Sequence, residues 1–230
     1  MTPDVIVAWP QNCDYPIWRR FITENRHRFA RILVAFTPHD GPDYRDFVRD
    51  ALPFAECFDT SGGEWRDTAV NAALDRSDAD WVWFTEQDFF VYSPSFWDTL
   101  RDDRPLDAVG WKDETPRWHP SSLLIRRETI ERTTRYFGPE PVDHFYRFGR
   151  DLDAVGRPWS LEMPPFGLVA GTDWEHLQGL SQNHYLIDRG EDAGVFKRER
   201  FRRYLRECLA VTPLDPRWEA NAQKELAEGI

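Results

Sequence analysis

Short apolar runs alternate with longer mixed segments along the first half of the chain. Runs of this length, flanked by polar or turn-forming residues, are typical of buried strands. They predict strands at Val5–Trp9, Ile32–Phe36, Ala55–Phe58 and Trp81–Thr85. The segments between them predict helices at Pro16–Phe29, Asp43–Leu52 and Glu64–Arg76. Such alternation of strand and helix predicts a mostly parallel sheet with right-handed crossovers, flanked by helices, and so an α/β fold.

The second half of the chain shows the same elements less regularly. Further strands are predicted at Asp107–Trp111, Ser122–Ile125, Trp159–Met163 and Asn183–Ile187. Helices are predicted near Ser93, Glu128 and Asp143, then at Phe196–Leu209 and from Asp215 onward. Between Pro164 and Leu180 glycines and prolines indicate a long loop, which is a common place for a functional site.

Two predicted helix starts carry capping signals. Asp14 precedes a helix whose buried face should hold Ile17, Phe21 and Ile22, and its side chain is expected to cap that helix. Asp215 is followed by proline, which is a favoured residue at the first helical position. We expect one domain over residues 1–230, with C-terminal helices at 196–230.

The strand at Trp81–Thr85 ends in two carboxylates, Glu86 and Asp88, spaced one residue apart. In open α/β sheets, ligands bind outside the carboxyl ends of the strands. Carboxylate oxygens favour Mg²⁺ or Mn²⁺, and such an ion can hold a diphosphate and neutralise it as a leaving group. The simpler interpretation is a solvated acidic turn after a strand.

Composition excludes several classes of protein. The 230 residues carry a net charge of −11, which argues against general affinity for nucleic-acid backbone but leaves room for a local basic patch. The cysteines, Cys13, Cys57 and Cys208, form no CxxC pair and imply neither a disulfide framework nor a zinc site. No signal peptide or membrane span is visible, so we expect a soluble cytoplasmic protein without a membrane partner.

These features together resemble the nucleotide-sugar glycosyltransferases of the GT-A fold. The resemblance rests on the alternating N-terminal half, the helix Trp65–Leu74 and the strand that ends in Glu86-Gln87-Asp88. In that family the helix reads roughly Arg-x-x-x-x-Asn-x-x-Leu and the strand ends in acid-x-Asp. The resemblance implies a GT-A-like (Rossmann-like) sheet, a nucleotide-sugar-binding half at 1–110 and an acceptor-binding half at 111–195.

The resemblance also implies a donor site with a divalent metal, Mn²⁺ or Mg²⁺, and a nucleotide diphosphate sugar. The family more often has Asp at the first acidic position, which favours Asp88 as the direct ligand and Glu86 as a ligand acting through water. Arg66 would approach the phosphates or the base of the donor, although an exposed arginine is the simpler interpretation. Gln11 and Asn12 follow the first strand, where family members hold the nucleotide base.

Asn71 of the same helix has two interpretations. It either buttresses the turn after the strand or only packs the helix, and we favour the second.

Two further roles follow from the resemblance. Many members place a catalytic acid at the start of a helix after the acceptor segment, and Asp143 fits that place as the general base, with Asp151 and Asp153 as rivals. An ordinary helix cap is an equally good interpretation of Asp143. Many members also supply a metal-binding histidine late in the chain, where His184 fits best and His176 is second.

The acceptor is expected around residues 111–121. Aromatic, basic and hydroxyl side chains there suit a sugar or another ring, and the candidate acceptor-binding residues are Trp111, Trp118, His119 and Ser121. The alternative is a loop whose tryptophans only cover the sheet.

The acidic strand end and the later Trp-His-Pro-Ser-Ser-Leu-Leu-Ile segment also resemble one branch of this family. This branch comprises the phage glycosyltransferases associated with base J and with TET-type oxygenases, which implies hydroxymethylated pyrimidines in DNA as acceptor. The segment Phe196–Arg206 holds six basic residues and one acid, and a helix there would present a basic face to phosphates. An acceptor base would have to be single-stranded or flipped out of the duplex.

Three alternatives remain open. The first is a glycosyltransferase acting on protein or on an envelope glycan. The second is a nucleotidyltransferase, which the lack of an obvious Gly-rich phosphate loop disfavours. The third is a non-catalytic binding module on a degenerate GT-A fold, which would keep its ligand and its biological effect after substitution of Asp88.

Overall fold

A computed structural model describes most of the chain. The described residues are 2–10, 14–38, 43–61, 65–91, 94–98, 100, 106–112, 118–138, 145–160, 174–176 and 195–228. The strands within them are β1 (Asp4–Pro10), β2 (Ile32–Thr37), β3 (Glu56–Asp59), β4 (Trp81–Thr85), β5 (Phe89–Val91), β6 (Ala108–Lys112), β7 (Trp118–Arg126), β8 (Pro158–Ser160) and β9 (Trp174–His176).

Helices connect and cover these strands. They are α1 (Pro16–Glu24), a 3₁₀ turn at Arg26–Arg28, α2 (Arg45–Ala51), α3 (Trp65–Leu74), α4 (Pro94–Asp98), α5 (Arg127–Glu131), α6 (Tyr146–Val155), α7 (Val195–Cys208) and α8 (Pro216–Ala227). The predicted C-terminal helices are therefore confirmed.

Seven strands form one mostly parallel sheet in the order β3-β2-β1-β4-β7-β6-β8. The strands β1, β2, β3 and β4 run parallel, as their alternation with helices predicts. The strand β7 runs antiparallel to both β4 and β6. A connection between parallel strands needs a crossover of a dozen or more residues, and the short step from β6 to β7 cannot supply one.

The core lies on both faces of this sheet. One face buries aromatic rings of β1, β4 and α1, including Trp9, Trp18 and Trp83, together with residues of the C-terminal helices. The other face packs α3 and α6 against Phe84 and its neighbours. Continuous burial of β2 and β4 on both faces is what a central parallel strand requires, and it explains why these strands read as unbroken apolar runs.

The predicted role of Asp14 as a helix cap is wrong. The N-terminal cap of α1 is Tyr15, and no side chain accepts a capping hydrogen bond there. Asp14 instead binds the guanidinium of Arg19 at 2.7 and 2.9 Å, and Arg19 also donates to the carbonyl of Pro213 at 2.9 Å. Both side chains are buried, and the hydrogen bond from Arg19 to Pro213 ties the start of α1 to the segment before α8. Burial raises the pKa of Asp14 despite the hydrogen bond from Arg19.

Helix α1 also ends at Glu24, earlier than the predicted Phe29, because the chain tightens into the 3₁₀ turn. Its predicted buried face is confirmed, since Ile17, Phe21 and Ile22 all lie in the core.

Several predictions for the second half need correction. Strand β7 begins at Trp118, so residues predicted as a loop belong to the sheet. The strand predicted at Trp159–Met163 is observed at Pro158–Ser160. Strands β5 and β9 were not predicted, and β9 falls inside the segment predicted as a long loop. The strand predicted at Asn183–Ile187 lies outside the described residues.

The predicted cap of the last helix is confirmed, because the carboxylate of Asp215 accepts a hydrogen bond from the backbone N–H of Arg217 at 2.8 Å. Cys57 and Cys208 are free thiols. None of the helices in the described part of the chain is long and apolar enough to cross a bilayer.

Candidate donor and metal site

The acidic turn after β4 is anchored to the centre of the sheet. Gln87, between the two acids, is buried and donates from its side-chain amide to the carbonyl of Ala8 in β1 at 2.5 Å. The hydroxyl of Thr85 donates to the carbonyl of Glu86 at 3.2 Å. The turn therefore lies at the carboxyl edge of β1 and β4, as predicted from the strand ending, and Gln87 is a positioning residue that the sequence pattern did not single out.

Glu86 forms an ion pair with Arg66. Arg66 lies in the first turn of α3 and donates from Nη1 to Oε1 of Glu86 at 2.5 Å. The two side chains are only 18% and 20% exposed, so this pair is sheltered from water to a large degree. A partly buried, charge-assisted contact is stronger than one at the surface. The interpretation of Arg66 as a merely exposed arginine is therefore wrong.

Asp88 is 6% exposed and precedes β5 directly. A carboxylate buried to this extent differs from the solvated acidic turn that was the simpler interpretation of the sequence. Strand β5 pairs antiparallel with β9, and the register sets Phe89 opposite His176. The backbone of His176 is thereby brought within one residue of Asp88 along the ladder, although 88 positions separate the two in sequence.

The contacts of Asn71 support its interpretation as a residue that packs the helix. Its side-chain amide donates to the carbonyl of Arg135 at 3.1 Å, and its carbonyl oxygen accepts from Nε of Arg135 at 3.2 Å. Asp67, one turn earlier, accepts from the backbone N–H of Phe137 at 2.7 Å. These contacts fasten the segment after α5 to α3, and none of them touches the acidic turn.

Trp118 differs from its expected role in acceptor binding. Its ring is 1% exposed and packs in the core between the sheet and α6. Its Nε1 donates to the carboxylate of Asp153 at 2.8 Å. The close approach depends on Gly149, where an added Cβ would meet the backbone nitrogen of Trp118 at 3.0 Å. The expectation that this ring faces an acceptor is corrected, because in this structure it joins α6 to β7.

Comparison with known proteins shows similarity at the level of fold. No protein-family model matches the sequence, and no curated protein matches it significantly. Among solved structures, a mannosyltransferase from Pyrobaculum calidifontis, in complex with GDP-mannose and Mn²⁺, is 15% identical with a TM-score of 0.51, over 98% of this chain and 70% of that one.

A glucosyl-3-phosphoglycerate synthase from Mycobacterium tuberculosis, in complex with phosphoglyceric acid, is 11% identical with a TM-score of 0.52, over 84% of this chain and 82% of that one. The chain has a GT-A-like fold, with a mostly parallel central sheet flanked by helices. At these identities the similarity concerns the fold alone.

Four of the site residues predicted from the sequence lie outside the described part of the chain, namely Gln11, Asn12, Asp143 and His184. Trp111 and Ser121 lie in β6 and β7, and their side chains are not among those described. His119 follows Trp118 in β7 and is half-buried. The rivals of Asp143 lie in α6, where Asp151 accepts from both the backbone N–H and the hydroxyl of Thr134, and Asp153 accepts from Trp118.

The structure thus brings together Arg66, Glu86, Gln87 and Asp88 at one edge of the sheet. The ion pair between α3 and the turn was not predicted, because nothing in the spacing of Arg66 and Glu86 indicates contact. The strand at β5 had a visible signal, since Phe89, Phe90 and Val91 form a short apolar run directly after the acids.

Proposed function

We propose that this protein is a metal-dependent glycosyltransferase that moves a sugar from a nucleotide diphosphate sugar to an acceptor hydroxyl. The observation that carries the proposal is the turn Glu86-Gln87-Asp88, anchored at the carboxyl edge of β4 in a chain with a GT-A-like fold. That edge is where open α/β sheets bind their ligands. The mannosyltransferase with the same fold, in complex with GDP-mannose and Mn²⁺, supports this class of donor.

The residues present fit a divalent metal bound together with a substrate. Within the described residues no group of three or more histidine, cysteine, aspartate or glutamate side chains gathers around one point. Mg²⁺ is often held by one or two carboxylates, with substrate phosphates and water completing its shell. Asp88 and Glu86 would hold such an ion, and when bound it would neutralise the charge that develops on the diphosphate leaving group.

His176 is the histidine that we now favour as a further ligand. The pairing of β5 with β9 brings its backbone beside the acidic turn. His184, which the resemblance favours, lies outside the described residues, so substitution of each histidine separates the two assignments. We expect His176→Ala to lose the Mn²⁺-dependent binding of the nucleotide and His184→Ala to retain it.

Arg66 has two partners available in the proposed reaction. Without ligand it binds Glu86, and in the donor complex its guanidinium would reach the diphosphate, whose oxygens match its planar array of donors. This exchange would release the Glu86 carboxylate when the donor arrives. Arg66 would thereby stabilise negative charge on the leaving group, which is a typical electrostatic contribution to transfer.

Asp143 remains the proposed general base. Both rivals in α6 already serve as hydrogen-bond acceptors within the fold, Asp151 for Thr134 and Asp153 for Trp118. A base must accept a proton from the acceptor hydroxyl within hydrogen-bond reach, and a carboxylate engaged in the fold is less suited to that task. The transition state should have oxocarbenium character, as in glycoside hydrolysis.

For the acceptor, we propose a 5-hydroxymethylated pyrimidine in DNA. The supporting observation is the basic surface of α7, where Arg203 and Arg206 are exposed, and where among the described residues Arg203 alone of the two pairs with an acid, Glu207. Such cations are suited to phosphate contacts that position a nucleic acid.

The donor site is tested first, by thermal unfolding with a panel of nucleotide diphosphates and nucleotide sugars, with and without Mn²⁺. A ligand that binds only the native state raises the melting temperature. At a ligand concentration one hundred times Kd, the free energy of unfolding rises by about 2.7 kcal/mol. We expect a Mn²⁺-dependent shift with one nucleotide, lost in Asp88→Asn. The matched control is Asp80→Asn, an exposed acid at the other end of β4. If no nucleotide shifted the melting temperature, the proposal would be overturned in favour of a binding module.

The acceptor is tested separately, with the donor that the first experiment identifies. Transfer to hydroxymethylated single-stranded DNA should fall steeply between low and physiological salt, because released counterions govern such binding. Arg206→Ala should reduce that salt dependence. Transfer to a glycan or protein hydroxyl, with no transfer to DNA, would support the alternative acceptor and leave the donor site intact.

A further inference from the structure

A cleft lies at the end of the sheet opposite the acidic turn. Arg126 ends β7 and pairs in register with Trp81, the first residue of β4, whereas Glu86 follows the last residue of that strand. Five residues of extended chain separate these two ends by about 16 Å. The cleft is open, has a volume of about 500 Å³ and lies between α5, the end of α6 and the starts of β6 and β8.

Three guanidinium groups line this cleft. Arg126 ends β7, Arg132 directly follows α5 and Arg157 directly precedes β8, so three separate segments place them around one space. Guanidinium groups remain charged at any ordinary pH. Gathering three of them is notable in a chain with a net charge of −11, because the general field of such a protein repels anions.

Two of the arginines are held in place by the fold. Arg126 donates from Nε to the carbonyl of Leu106 at 3.0 Å, and its guanidinium lies 4.6 Å from the ring centre of Trp81. Arg157 donates its backbone N–H to Asp107 at 2.8 Å, and its Nε is 3.5 Å from the same carboxylate oxygen. Within the described part of the chain, no hydrogen bond or ion pair engages the terminal nitrogens of these two guanidinium groups, so they can bind a ligand. A charged group positioned before binding loses little entropy when the ligand arrives.

Glu128 of α5 and Arg132, the residue that follows the helix, are exposed where they line the cleft, and so is Arg157. Within the described part of the chain neither the Glu128 nor the Arg132 side chain makes a hydrogen bond or an ion pair. An arginine that supports the fold would ordinarily show such a contact. Cation and carboxylate side by side offer donors for an anionic oxygen and acceptors for a hydroxyl group.

We propose that this cleft binds a small phosphorylated sugar or polyol, with its phosphate on the three arginines and its hydroxyl groups on Glu128 and Asp107. The fork of donors on each guanidinium matches phosphate oxygens, and a carboxylate accepts from neighbouring hydroxyls. The volume lies within the range of about 300 to 1,000 Å³ that is usual for small-molecule sites. The site is separate from the proposed donor site and stands whether or not that proposal holds.

Calorimetric titration of the full chain tests this site, with inorganic phosphate, a hexose 6-phosphate and the unphosphorylated hexose as probes. We expect the hexose phosphate to bind more tightly than phosphate, and the hexose alone not to bind. Arg132→Ala and Arg157→Ala should each weaken the hexose phosphate about tenfold, which is the usual effect of removing one charge-assisted hydrogen bond. Glu128→Ala should remove the advantage of the hexose phosphate over phosphate.

Two controls make the outcome decisive. Arg150→Ala removes an exposed arginine of α6 that does not line the cleft and should leave binding unchanged. Asp88→Asn alters the proposed donor site and should also leave it unchanged. No binding of either phosphate compound, or equal losses in Arg150→Ala and Arg132→Ala, would overturn the proposal. Loss in Asp88→Asn would assign the binding to the donor site instead and would equally overturn it.

Discussion

Arg66 and Glu86 form a sheltered ion pair at 2.5 Å between the first turn of α3 and the turn after β4. The guanidinium of Arg66 therefore contacts Glu86, which is one of the two carboxylates that would hold a divalent metal. The pair and a metal compete for the same negative charge. Metal affinity should therefore depend on Arg66 even though an arginine is never a metal ligand.

Arg66→Met is expected to raise the affinity for Mn²⁺ in the absence of nucleotide and to lower the affinity for the nucleotide diphosphate. Charge-assisted hydrogen bonds contribute about 1.5–3 kcal/mol, so we expect a change of about tenfold in each direction. Calorimetric titration with Mn²⁺ alone, then with nucleotide at fixed Mn²⁺, measures both. The control is Arg76→Met, an exposed arginine just after α3. Unchanged Mn²⁺ affinity in Arg66→Met would show that the pair does not compete with metal.

Gly149→Ala is expected to destabilise the fold although alanine is the better helix former. A Cβ at this position would lie 3.0 Å from the backbone nitrogen of Trp118, which cannot move without disturbing β7. Such overpacking costs about 1–3 kcal/mol, and with an immovable backbone atom as the neighbour we expect a cost above the roughly 1 kcal/mol gained from helix propensity. Urea unfolding measures the difference, and a more stable variant would contradict the close packing of α6 on β7.

The contact between Trp118 and Asp153 has its own test. Asp153→Ala removes the acceptor for Nε1 of the buried ring and should lower the free energy of unfolding by about 1–2 kcal/mol. The neighbouring Ala154→Gly serves as a control for helix propensity alone, at about 1 kcal/mol. If Asp153 acted chiefly as the general base, its substitution would abolish turnover and leave stability unchanged.

Asn71→Leu is expected to lower the free energy of unfolding by about 2–3 kcal/mol, because it leaves the carbonyl of Arg135 without its side-chain donor. The control is Asp75→Asn, which removes only an exposed ion pair with Arg135 and should cost less than about 1 kcal/mol. Equal effects in the two variants would mean that the segment after α5 is held by surface charge alone. Binding of nucleotide should be retained in both variants, since neither residue contacts the acidic turn.

The cap of α8 should make stability depend on pH. Hydrogen bonding to the Arg217 side chain, and then to its backbone N–H, holds the pKa of Asp215 below its ordinary value of 3.8. A carboxylate with a lowered pKa stabilises the fold above its unfolded pKa, and this contribution is lost as the pH falls through the lower, folded value. Asp215→Ala should cost about 1 kcal/mol at pH 7, and the difference should shrink below about pH 4. Unfolding curves at several pH values measure this, and a difference that does not change with pH would contradict it.

Local patterns in the sequence identified most of the sheet. Trp81–Thr85 was predicted with its observed bounds, because a central strand buried on both faces must be apolar throughout. The position of Glu86 and Asp88 at the carboxyl edge follows from the same local pattern, since a strand's direction decides which edge its last residue reaches. The cap at Asp215 is equally local, as the bond that defines it spans two residues.

Local pattern failed where a side chain had a distant partner. Asp14 has the residue type and the position of a helix cap. It binds the buried Arg19 instead, which also reaches Pro213 and is a stronger partner than the free N–H groups of α1. Trp118 is of a residue type that often binds sugars or rings, but the close approach of α6 at Gly149 buries it. In both cases the competing contact involves a segment that the local sequence does not contain.

The sequence alone determined the alternation of elements, the acidic turn and the class of chemistry that two adjacent carboxylates support. Only the tertiary structure decided that Arg66 faces Glu86, that the backbone of His176 is brought beside the acidic turn, and that three arginines from separate segments line one cleft. The physical reason is that hydrophobic periodicity reports which face of an element is buried. It carries no information on which distant side chain completes a charge or a hydrogen bond, because that depends on how the elements pack.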